Sequence, residues 1–318
     1  MNNVLILTEG GKNIGFGHIT RCIALADAFK YRKPEIKIQL VINGDKHVKC
    51  FLRSGNINFR HLNWLKNIDK ILKFITKDTV VIIDSYRAAE ICYKKIHHFK
   101  KRPFVVALDD YNRIEYDADV VLNPSIYGHD IDCQIRENAF YLTGEDYIIL
   151  RKEFWGVSKK TIRKEVKNVL VTSGGINHPG FISKTIDPLK TKFDFEVHIV
   201  DPSKNTINAG EMLNLMLKTD ICISGGGQTI NELARVGVPT IGICFYENQR
   251  LNLEAWHKEG FINYAGWYND DGLLNKIEHV IKGLLPHRER IKRSKIGRDK
   301  VDGKGGMRIA DKMMEFLT

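Results

Sequence analysis

Short apolar stretches alternate with amphipathic patterns along most of the chain. The apolar stretches have the length of β-strands, and the segments between them repeat apolar residues at helical spacing. This alternation is typical of parallel α/β layering. Strands are predicted at residues 4–7, 37–42, 80–83, 104–108 and 120–122, and then at 168–172, 195–200, 221–224 and 240–244.

Helices are predicted between these strands, and one basic stretch divides the chain into two halves. Residues 151–167 show neither strand nor helix periodicity, so we place the domain boundary there. We expect a Rossmann-like domain over residues 1–150, a linker over 151–166, a second Rossmann-like domain over 167–303, and a helix over 304–318 that packs back on the first domain. Helices are predicted at residues 19–29, 64–75, 88–99, 180–189, 209–217, 229–236, 248–259 and 307–317.

The composition narrows the class of protein. Of the 318 residues, 43% are apolar, which is enough to bury a substantial core and excludes a disordered chain. No apolar run approaches the ~20 residues that span a bilayer. The N-terminus lacks a basic leader, and the six cysteines form no C-x-x-C pair. These features predict a cytoplasmic protein without an integral membrane segment.

An excess of basic residues gives the chain a net charge of +11 and favours an anionic partner. Much of the excess lies in residues 151–167 and 287–300, each with seven basic and two acidic side chains. The second run has no aromatic residue between its charges, which disfavours base stacking on nucleic acid. We interpret both runs as solvated connecting surface and expect no nucleic-acid partner. A basic nucleic-acid-binding protein is the non-enzyme alternative.

A glycine-rich loop that ends in a histidine follows the first predicted strand. Residues 8–18 read TEGGKNIGFGH, and a helix is predicted to begin there. Glycines let backbone N–H groups approach an anion at a helix N-terminus. The loop lacks the third glycine of the dinucleotide fingerprint, so no nicotinamide cofactor is expected. His18 is either a capping residue or a catalytic base, and its place after the glycines favours the base.

A second glycine loop lies in the other half of the chain. Residues 224–232 read SGGGQTINE, again between a predicted strand and a predicted helix. Three consecutive glycines favour a diphosphate cradle. Glu232 falls in the first turns of that helix, where it either meets a ribose or compensates the helix dipole. Ser173, Gly174 and Gly175 form another small-residue loop at the same sheet edge, either as a tight turn or as part of the phosphate site.

Other predicted strands also end in polar side chains, namely DSY at residues 84–86, Asp109 with Asp110, and Asn123. Adjacent residues of an extended chain point to opposite faces, so Asp109 and Asp110 are not expected to work as a carboxylate pair. The histidines, including the pair at residues 97–98, show no metal-ligand spacing. We therefore expect neither a metal nor a cofactor.

Together these segments resemble the UDP-sugar hydrolases of pseudaminic acid biosynthesis. The resemblance covers nearly the whole chain, and its most specific motif is IGFGHITRC at residues 14–22, similar to the family pattern I-G-x-G-H-x-x-R-C. It implies a GT-B fold, in which the parallel sheets of two Rossmann-like domains face a central cleft. Two positions depart from the family, which usually has Arg and Asp where this chain has Thr8 and Glu9. Further matches are IDSY at 83–86, LDD at 108–110, LNP at 122–124, residues 147–154, SGGGQTINE at 224–232 and ENQ at 247–249.

The resemblance also implies roles for individual residues. His18 matches the catalytic histidine, Glu232 matches the carboxylate that binds the ribose hydroxyls, and Ile207 matches a backbone contact to uracil. The positions implied on the sugar side are Gly17, Tyr86, Asn123, Asn248 and Gln249. Those implied on the UDP side are Ser173, Gly174, Ile207, Gly226, Gly227, Gln228, Thr229 and Glu232.

The implied reaction is the hydrolysis of a UDP-linked amino sugar at the anomeric carbon, in nonulosonic acid or surface polysaccharide biosynthesis. His18 would act on water, and no metal would be required. The alternative is a glycosyltransferase that passes the sugar from the same donor to a sugar or lipid-linked acceptor. Under that alternative, the amphipathic segment 64–74 would support weak contact with a membrane surface, whereas it is otherwise an ordinary core helix.

Overall fold

The computed structural model describes residues 2–12, 14–52, 58–130, 139–174, 180–201 and 207–317, without the side chains of residues 49–51. The chain forms two compact units. Unit 1 comprises Met1–Lys152 together with Lys304–Thr318, and unit 2 comprises Glu153–Gly303. Each unit is built on its own parallel sheet.

In the sheet of unit 1, successive strands are added first on one side of the first strand and then on the other. Its strands, as far as the structure describes them, are β1 (Asn3–Gly10), β2 (Lys37–Gly44), β3 (Phe59–His61), β4 (Thr79–Asp84), β5 (Phe104–Leu108), β6 (Val120–Asn123) and β7 (Phe140–Thr143). They lie in the order β3-β2-β1-β4-β5-β6-β7. The order therefore reverses between β1 and β4, where Thr8 pairs with Asp84. Such a reversal opens a crevice at the carboxyl ends of the two strands.

Helices bury both faces of this sheet. The strands read as nearly continuous apolar runs because parallel strands are covered on both sides; all six residues of β4 are buried. Residues on one side of β1 pack with Leu25, and those on the other side pack with Tyr93. The helices of this part of unit 1 are α1 (Gly17–Arg32), α2 (His47–Leu52), α3 (Ile68–Leu72) and α4 (Glu90–His97).

The sheet of unit 2 is also parallel, and its strand order also reverses inside the sheet. The strands in its described residues are β8 (Asn168–Thr172), β9 (Glu196–Val200), β10 (Ile221–Gly225), β11 (Thr240–Cys244) and β12 (Ile262–Trp267), in the order β12-β11-β10-β8-β9. The order reverses between β8 and β10. Its helices are α5 (Asp187–Lys192), α6 (Ala209–Lys218), α7 (Thr229–Val236), α8 (Arg250–Lys258), α9 (Leu273–Leu284) and α10 (His287–Lys300).

The last helix, α11 (Gly305–Glu315), belongs to unit 1. It packs against α1, and Ile309 and Met313 are buried in the same apolar cluster as that helix. A Cβ on Gly305 would lie 2.2 Å from the carbonyl oxygen of Ile148. The absence of a side chain at Gly305 therefore allows the start of α11 to pack directly against the backbone at Ile148.

The amphipathic segment at residues 64–75 is shorter and more buried than the predicted helix. Only α3 is helical, and Trp64 instead donates its indole N–H to the carbonyl oxygen of Thr8 at 2.8 Å. Trp64, Ile68 and Ile71 are all buried in unit 1. The apolar side of this segment therefore packs in the core of unit 1. None of the helices in the described part of the chain is long and apolar enough to cross a membrane.

The basic run at residues 287–300 forms a helix, α10, where a connecting segment was predicted. Its basic side chains are exposed or partly exposed, as predicted, except for Arg290. Arg290 is fully buried. Its guanidinium donates to the carbonyl oxygens of Leu284 at 3.0 Å, Arg163 at 2.8 Å and Lys164 at 2.7 Å. An arginine offers five donors, so it can satisfy several carbonyl groups that no regular element pairs. Part of the positive charge is therefore structural.

The strands without a predicted counterpart share a position in the fold, whereas the unpredicted helices α2, α9 and α10 do not. β3, β7 and β12 all lie at sheet edges, where strands carry less apolar sequence. β7, for example, has one buried residue out of four. The predicted helix at residues 180–189 also differs, because it begins with a π-helical turn at Ile182–Ile186 before α5.

Candidate functional site

In unit 1, polar side chains gather where the strand order reverses. His18 is the second residue of α1, which follows β1, and Asp84 is the last residue of β4. Because neighbouring parallel strands end at the same edge of a sheet, the loops after β1 and β4 lie side by side. This is the position at which open α/β sheets bind ligands.

His18 is oriented by a buried carboxylate. Its Nδ1 lies 2.6 Å from Oδ1 of Asp84, which has no exposed surface. A carboxylate only accepts hydrogen bonds, so Nδ1 is the donor, and the neutral ring keeps its lone pair on Nε2. No described residue hydrogen bonds this Nε2. The ring is held in the tautomer in which Nε2 can take a proton.

Arg21 and Asp110 close a network around this pair. Arg21 lies three residues after His18 and donates to both oxygens of Asp84, from Nε and from Nη2, each at 2.7 Å. Its Nη1 donates to Asp110 at 2.8 Å, and the hydroxyl of Tyr86 donates to the other oxygen of Asp110 at 2.5 Å. The Tyr86 ring stands edge-on to the imidazole, with the centroids 4.3 Å apart. The bidentate contact fixes the carboxylate plane and, through it, the imidazole.

Electrostatics keep Asp84 ionised and Tyr86 neutral. Burial opposes a charge on Asp84, but Arg21 and His18 outweigh it, and the pKa of Asp84 lies well below its usual range. Burial also acts to lower the pKa of Arg21, but the charges of Asp110 and Asp84 raise it above the ordinary value. Burial and the charge of Asp110 raise the pKa of Tyr86 well above its ordinary value.

Glu9, one of the two departures from the family pattern, holds the loop that carries Tyr86. Its buried carboxylate accepts the backbone N–H of Tyr86 at 3.0 Å and the Nε–H of Arg87 at 2.5 Å. Thr8, the other departure, is buried beside it in β1. Glu9 therefore supports the loop after β4.

The remaining unit 1 positions differ in their surroundings. Gly17 is exposed, and a Cβ on it would meet nothing within 4 Å, so the start of α1 faces open space. Asn123 is buried at the end of β6, two strands from β4, and its Oδ1 accepts the N–H of Ser125 at 3.2 Å. Asn123 thus shapes its own turn. Asp109 accepts the N–H of Tyr111 at 3.1 Å, apart from the network that Asp110 joins.

In unit 2, two glycine loops meet at the reversal between β8 and β10. Ser173 and Gly174 follow β8, and the run of three glycines begins at the end of β10. A Cβ on Gly225 would lie 3.0 Å from the carbonyl oxygen of Ser173, so the loops are in contact. Gly174 has a φ of 81°, in the left-handed region that favours glycine. Gly175 lies outside the described residues.

The start of α8 holds the triple-glycine loop in place. Oε1 of Gln249 accepts the N–H of Gly226 at 3.2 Å and that of Phe245 at 3.1 Å. Nδ2 of Asn252 donates to the carbonyl oxygen of Gly226 at 2.8 Å. A Cβ on Gly226 would come within 2.6 Å of Cγ of Leu253. The side-chain oxygen of Gln249 is therefore engaged by the loop itself, and Gly226 is required for packing.

Three backbone N–H groups at the start of α7 have no acceptor among the described residues. They belong to Gly227, Gln228 and Thr229, the donors that a helix N-terminus leaves without intrahelical partners. All three residues are only partly buried, and a Cβ on Gly227 would meet nothing within 4 Å. N–H groups without acceptors and the positive end of the helix dipole suit a phosphate.

The other unit 2 positions lie in or just before three different helices. Glu232 is buried in the first turn of α7. Asn248 is exposed in the 3₁₀ turn Glu247–Gln249, directly before α8. Ile207 is partly buried just before α6.

Sequence reasoning named His18 and Tyr86 but gave no role to the residues that hold them. Arg21 stood only within a motif, and Asp84 and Asp110 stood only as polar strand ends. One signal was available, since His18 and Arg21 are three residues apart and so share a helix face. The order of the strands, which brings Asp84 to that face, is not visible in the sequence.

Two relatives are similar to this chain in sequence, while no protein-family model matches it. The spore coat polysaccharide biosynthesis protein SpsG of Bacillus subtilis is 24% identical over 336 residues, covering 96% of each chain. An uncharacterized protein of Methanocaldococcus jannaschii is 28% identical over 288 residues, covering 78% of this chain. The chain spans 56% of the length of that second relative.

Solved structures match the chain along its length. MurG of Acinetobacter baumannii has a TM-score of 0.65 at 12% identity, covering 99% of this chain and 100% of its own. MnaA of S. aureus, solved with UDP, has a TM-score of 0.68 at 11% identity, covering 100% and 97%. The UDP-GlcNAc 2-epimerase of Neisseria meningitidis, bound to UDP-GlcNAc, has a TM-score of 0.64 at 14% identity, covering 98% and 100%. The chain has the GT-B fold. The predicted fold class is confirmed.

Proposed function

We propose that this protein hydrolyses a UDP-linked amino sugar at the anomeric carbon, in nonulosonic acid or surface polysaccharide biosynthesis. The observation that carries the proposal is His18, held by Asp84 in the tautomer that leaves Nε2 free to act as a base. The structural neighbours solved with UDP or UDP-GlcNAc support a UDP-sugar substrate. The similarity to SpsG supports a place in polysaccharide biosynthesis.

Unit 2 binds the UDP moiety in this proposal. The N–H groups of Gly227, Gln228 and Thr229 hold the diphosphate, and Glu232 accepts hydrogen bonds from the ribose hydroxyls. The loop after β8, with Ser173 and Gly174, and the backbone at Ile207 complete the nucleotide site. Fixed N–H groups stabilise the charge that grows on the departing phosphate oxygen, so the residues themselves can support its departure.

Unit 1 supplies the base. The oxygen of a water molecule forms a bond to the anomeric carbon while the bond from that carbon to the phosphate oxygen breaks. The electron pair of the broken bond leaves with UDP, and the proton of the water passes to Nε2 of His18. Asp84 remains ionised and stabilises the imidazolium that forms. General base catalysis of this kind contributes about 10²–10⁴-fold to the rate.

Sugar recognition is assigned to Tyr86 and Asn248, with Gly17 leaving room at the start of α1. Tyr86 is well suited, because Glu9 and Asp110 hold its backbone and its hydroxyl and thereby fix the ring. Gln249 and Asn123, which hydrogen bond to backbone N–H groups, serve the site by shaping the loops.

A glycosyltransferase with the same donor is the second candidate, and the likeness to the spinosyn forosaminyltransferase SpnP, with a TM-score of 0.67, favours it. It would use His18 in the same way, on an acceptor hydroxyl in place of water. A nucleic-acid-binding protein is disfavoured, because the basic run 287–300 has no aromatic residue between its charges and such a protein gives the network around His18 no role.

Incubation with a panel of UDP-amino sugars, without an acceptor, tests the proposal. Proton and phosphorus NMR should show UDP and the free sugar appearing together, and the first-formed anomer gives the stereochemistry. His18→Gln should lose at least ~100-fold in kcat, while its UDP affinity by isothermal titration stays within a few-fold. His47→Gln, at an exposed histidine beside Asp45, is the matched control and should keep full activity.

The outcomes separate the candidates. UDP release that begins only after a sugar or lipid-linked acceptor is added would replace the hydrolase with the transferase. Full acceptor-free turnover by His18→Gln would remove this histidine from the chemistry.

A further inference from the structure

Two histidines and an aspartate meet at the end of α4, outside the sites described above. His97 is the last residue of α4, His98 follows it, and Asp117 comes from the segment between β5 and β6. Nδ1 of His97 lies 2.5 Å from Oδ1 of Asp117, and Nε2 of His98 lies 2.9 Å from Oδ2. One potential ligand atom from each residue lies within 4.8 Å of the other two.

A second carboxylate orients the first histidine. Nε2 of His97 lies 3.3 Å from Oδ1 of Asp119, and Oδ2 of Asp119 accepts the backbone N–H of Val105 at 2.6 Å. When Nε2 donates its proton to Asp119, the lone pair of His97 is on Nδ1, the atom that faces Asp117. Histidines that bind metals are usually held in this way, with the other ring N–H donated to a carboxylate.

We propose that His97, His98 and Asp117 bind a divalent cation of the zinc class. The ligand atoms are Nδ1 of His97, Nε2 of His98 and one oxygen of Asp117, with water in the fourth position. Asp119 is a positioning residue that acts through His97. Two imidazole nitrogens and one carboxylate oxygen form a set that zinc accepts in tetrahedral geometry.

The cluster admits an ion after a small movement. Zinc–ligand bonds of about 2.0–2.2 Å place the ligand atoms of a tetrahedral site roughly 3.3–3.6 Å apart. Nδ1 of His97 now lies 2.5 Å from one oxygen of Asp117, and Nε2 of His98 lies 2.9 Å from the other oxygen. The three ligand atoms lie within 4.8 Å of one another, so side-chain shifts of about 1 Å bring them to tetrahedral spacing. The side chain of His98 is 70% exposed and is free to shift.

A charged His97 between two carboxylates is the competing explanation. It accounts for the contacts of His97 with Asp117 and Asp119. It also accounts for the contact of His98 with the second oxygen of Asp117. A metal site differs from this ion-pair cluster in that one ion engages all three residues at once. The sequence did not reveal the group, because Asp117 lies 20 residues after His97 and no ligand spacing connects them.

Zinc titration of the full-length, tag-free and chelator-treated protein tests the proposal. Isothermal titration should show one ion per chain, and Co²⁺ should give the visible absorption of a tetrahedral complex. Asp119→Asn should weaken zinc binding about 10–100-fold, as loss of an outer carboxylate does, and His98→Gln or Asp117→Asn should weaken it further. His129→Gln changes another exposed histidine of unit 1, 3.7 Å from Glu145, and should bind as the wild type does.

The proposal is overturned if the wild type shows no saturable zinc binding, or if His98→Gln and Asp117→Asn bind as tightly as the wild type. An unchanged affinity in Asp119→Asn would overturn the positioning role. Thermal melting of each metal-free variant shows whether it is folded. If Asp117→Asn does not fold, His98→Gln decides the question, because His98 is exposed and its replacement should leave the fold intact. Binding is measured without turnover, so the result is independent of the proposed hydrolysis.

Discussion

Replacing Asp84 with asparagine tests whether the buried carboxylate makes His18 a base. The carboxylate accepts from Nδ1 of His18 and from two nitrogens of Arg21. An amide has one accepting end and one donating end, so in either orientation its NH₂ group faces a donor of Arg21. In one orientation it also donates to Nδ1 of His18, which moves the ring proton to Nε2 and removes the base. The tautomer is no longer specified, and no charge stabilises the imidazolium.

The expected losses follow from these contacts. Turnover should fall by about 10²–10⁴-fold, the range of general base catalysis. Breaking a buried ion pair costs about 3–5 kcal/mol, and we expect about 3 kcal/mol because Arg21 keeps its contact with Asp110. Since the pKa of Asp84 is depressed in the folded state, its contribution is complete above the ordinary aspartate pKa of ~3.9 and is lost at lower pH. The stability difference between wild type and variant should therefore narrow in acid.

Three measurements on the same variants check this reasoning. They are the kcat of UDP release, the free energy of unfolding in guanidinium, and the UDP affinity. Asp110→Asn is the comparison variant, because it also removes one carboxylate from Arg21 but leaves the contact of His18 with Asp84 intact. It also weakens the contact that holds the hydroxyl of Tyr86, so its effect on sugar binding is measured as KM, apart from kcat. It should lose a similar amount of stability and much less turnover. The double variant of His18→Gln with Asp84→Asn should be no slower than His18→Gln alone.

The reasoning is refuted if Asp84→Asn loses stability as expected but keeps its turnover within a few-fold of the wild type. It is also refuted if the losses of the two single variants multiply in the double variant, since the residues would then act independently.

Other consequences of the structure can be measured in unit 2. Gly226→Ala brings a methyl group within 2.6 Å of Leu253 and should cost about 1–3 kcal/mol in urea unfolding, whereas Gly227→Ala meets open space and should not; equal midpoints would contradict the packing argument. Glu232→Gln should weaken UDP more than a UDP analogue without ribose hydroxyls in isothermal titration, and equal losses would remove Glu232 from the ribose. Burial lowers the pKa of Lys160 to about 8. Between that pH and the ordinary lysine pKa of ~10.4, Lys160 is protonated in the unfolded chain and neutral in the folded protein, so the free energy of unfolding should rise with pH. Lys160→Met should flatten this rise in unfolding curves measured over a pH series. If the stability of the variant rises with pH as steeply as that of the wild type, Lys160 is not its cause.

The central strands could be predicted from sequence because burial on both faces leaves a continuous apolar run. β4 is an example, with the apolar sequence VVII between its polar ends. Edge strands such as β7 carry no such run, and they form because a neighbouring strand offers backbone partners. α10 was not predicted as a helix because its buried face includes Arg290, whose charge hides the periodicity.

The candidate site could be predicted only in part, for a related reason. His18 and the glycine loop of unit 2 could be predicted because their residue types directly follow a predicted strand. Asp84 and Gln249 act through contacts with residues 66 and 23 positions away in the sequence. Those contacts depend on strand order and on how α8 meets the loop, which local patterns do not encode.

The return of α11 to unit 1 affects the order in which the chain can fold. The apolar cluster of unit 1 includes Ile309, Ala310 and Met313, which are synthesised after every residue of unit 2. Domains generally fold as units during synthesis. Unit 2 is a contiguous segment and can complete its core first, whereas the core around α1 stays open on the ribosome until α11 emerges. The synthesis of unit 1, which carries His18, therefore starts before that of unit 2, but its core is completed after that of unit 2.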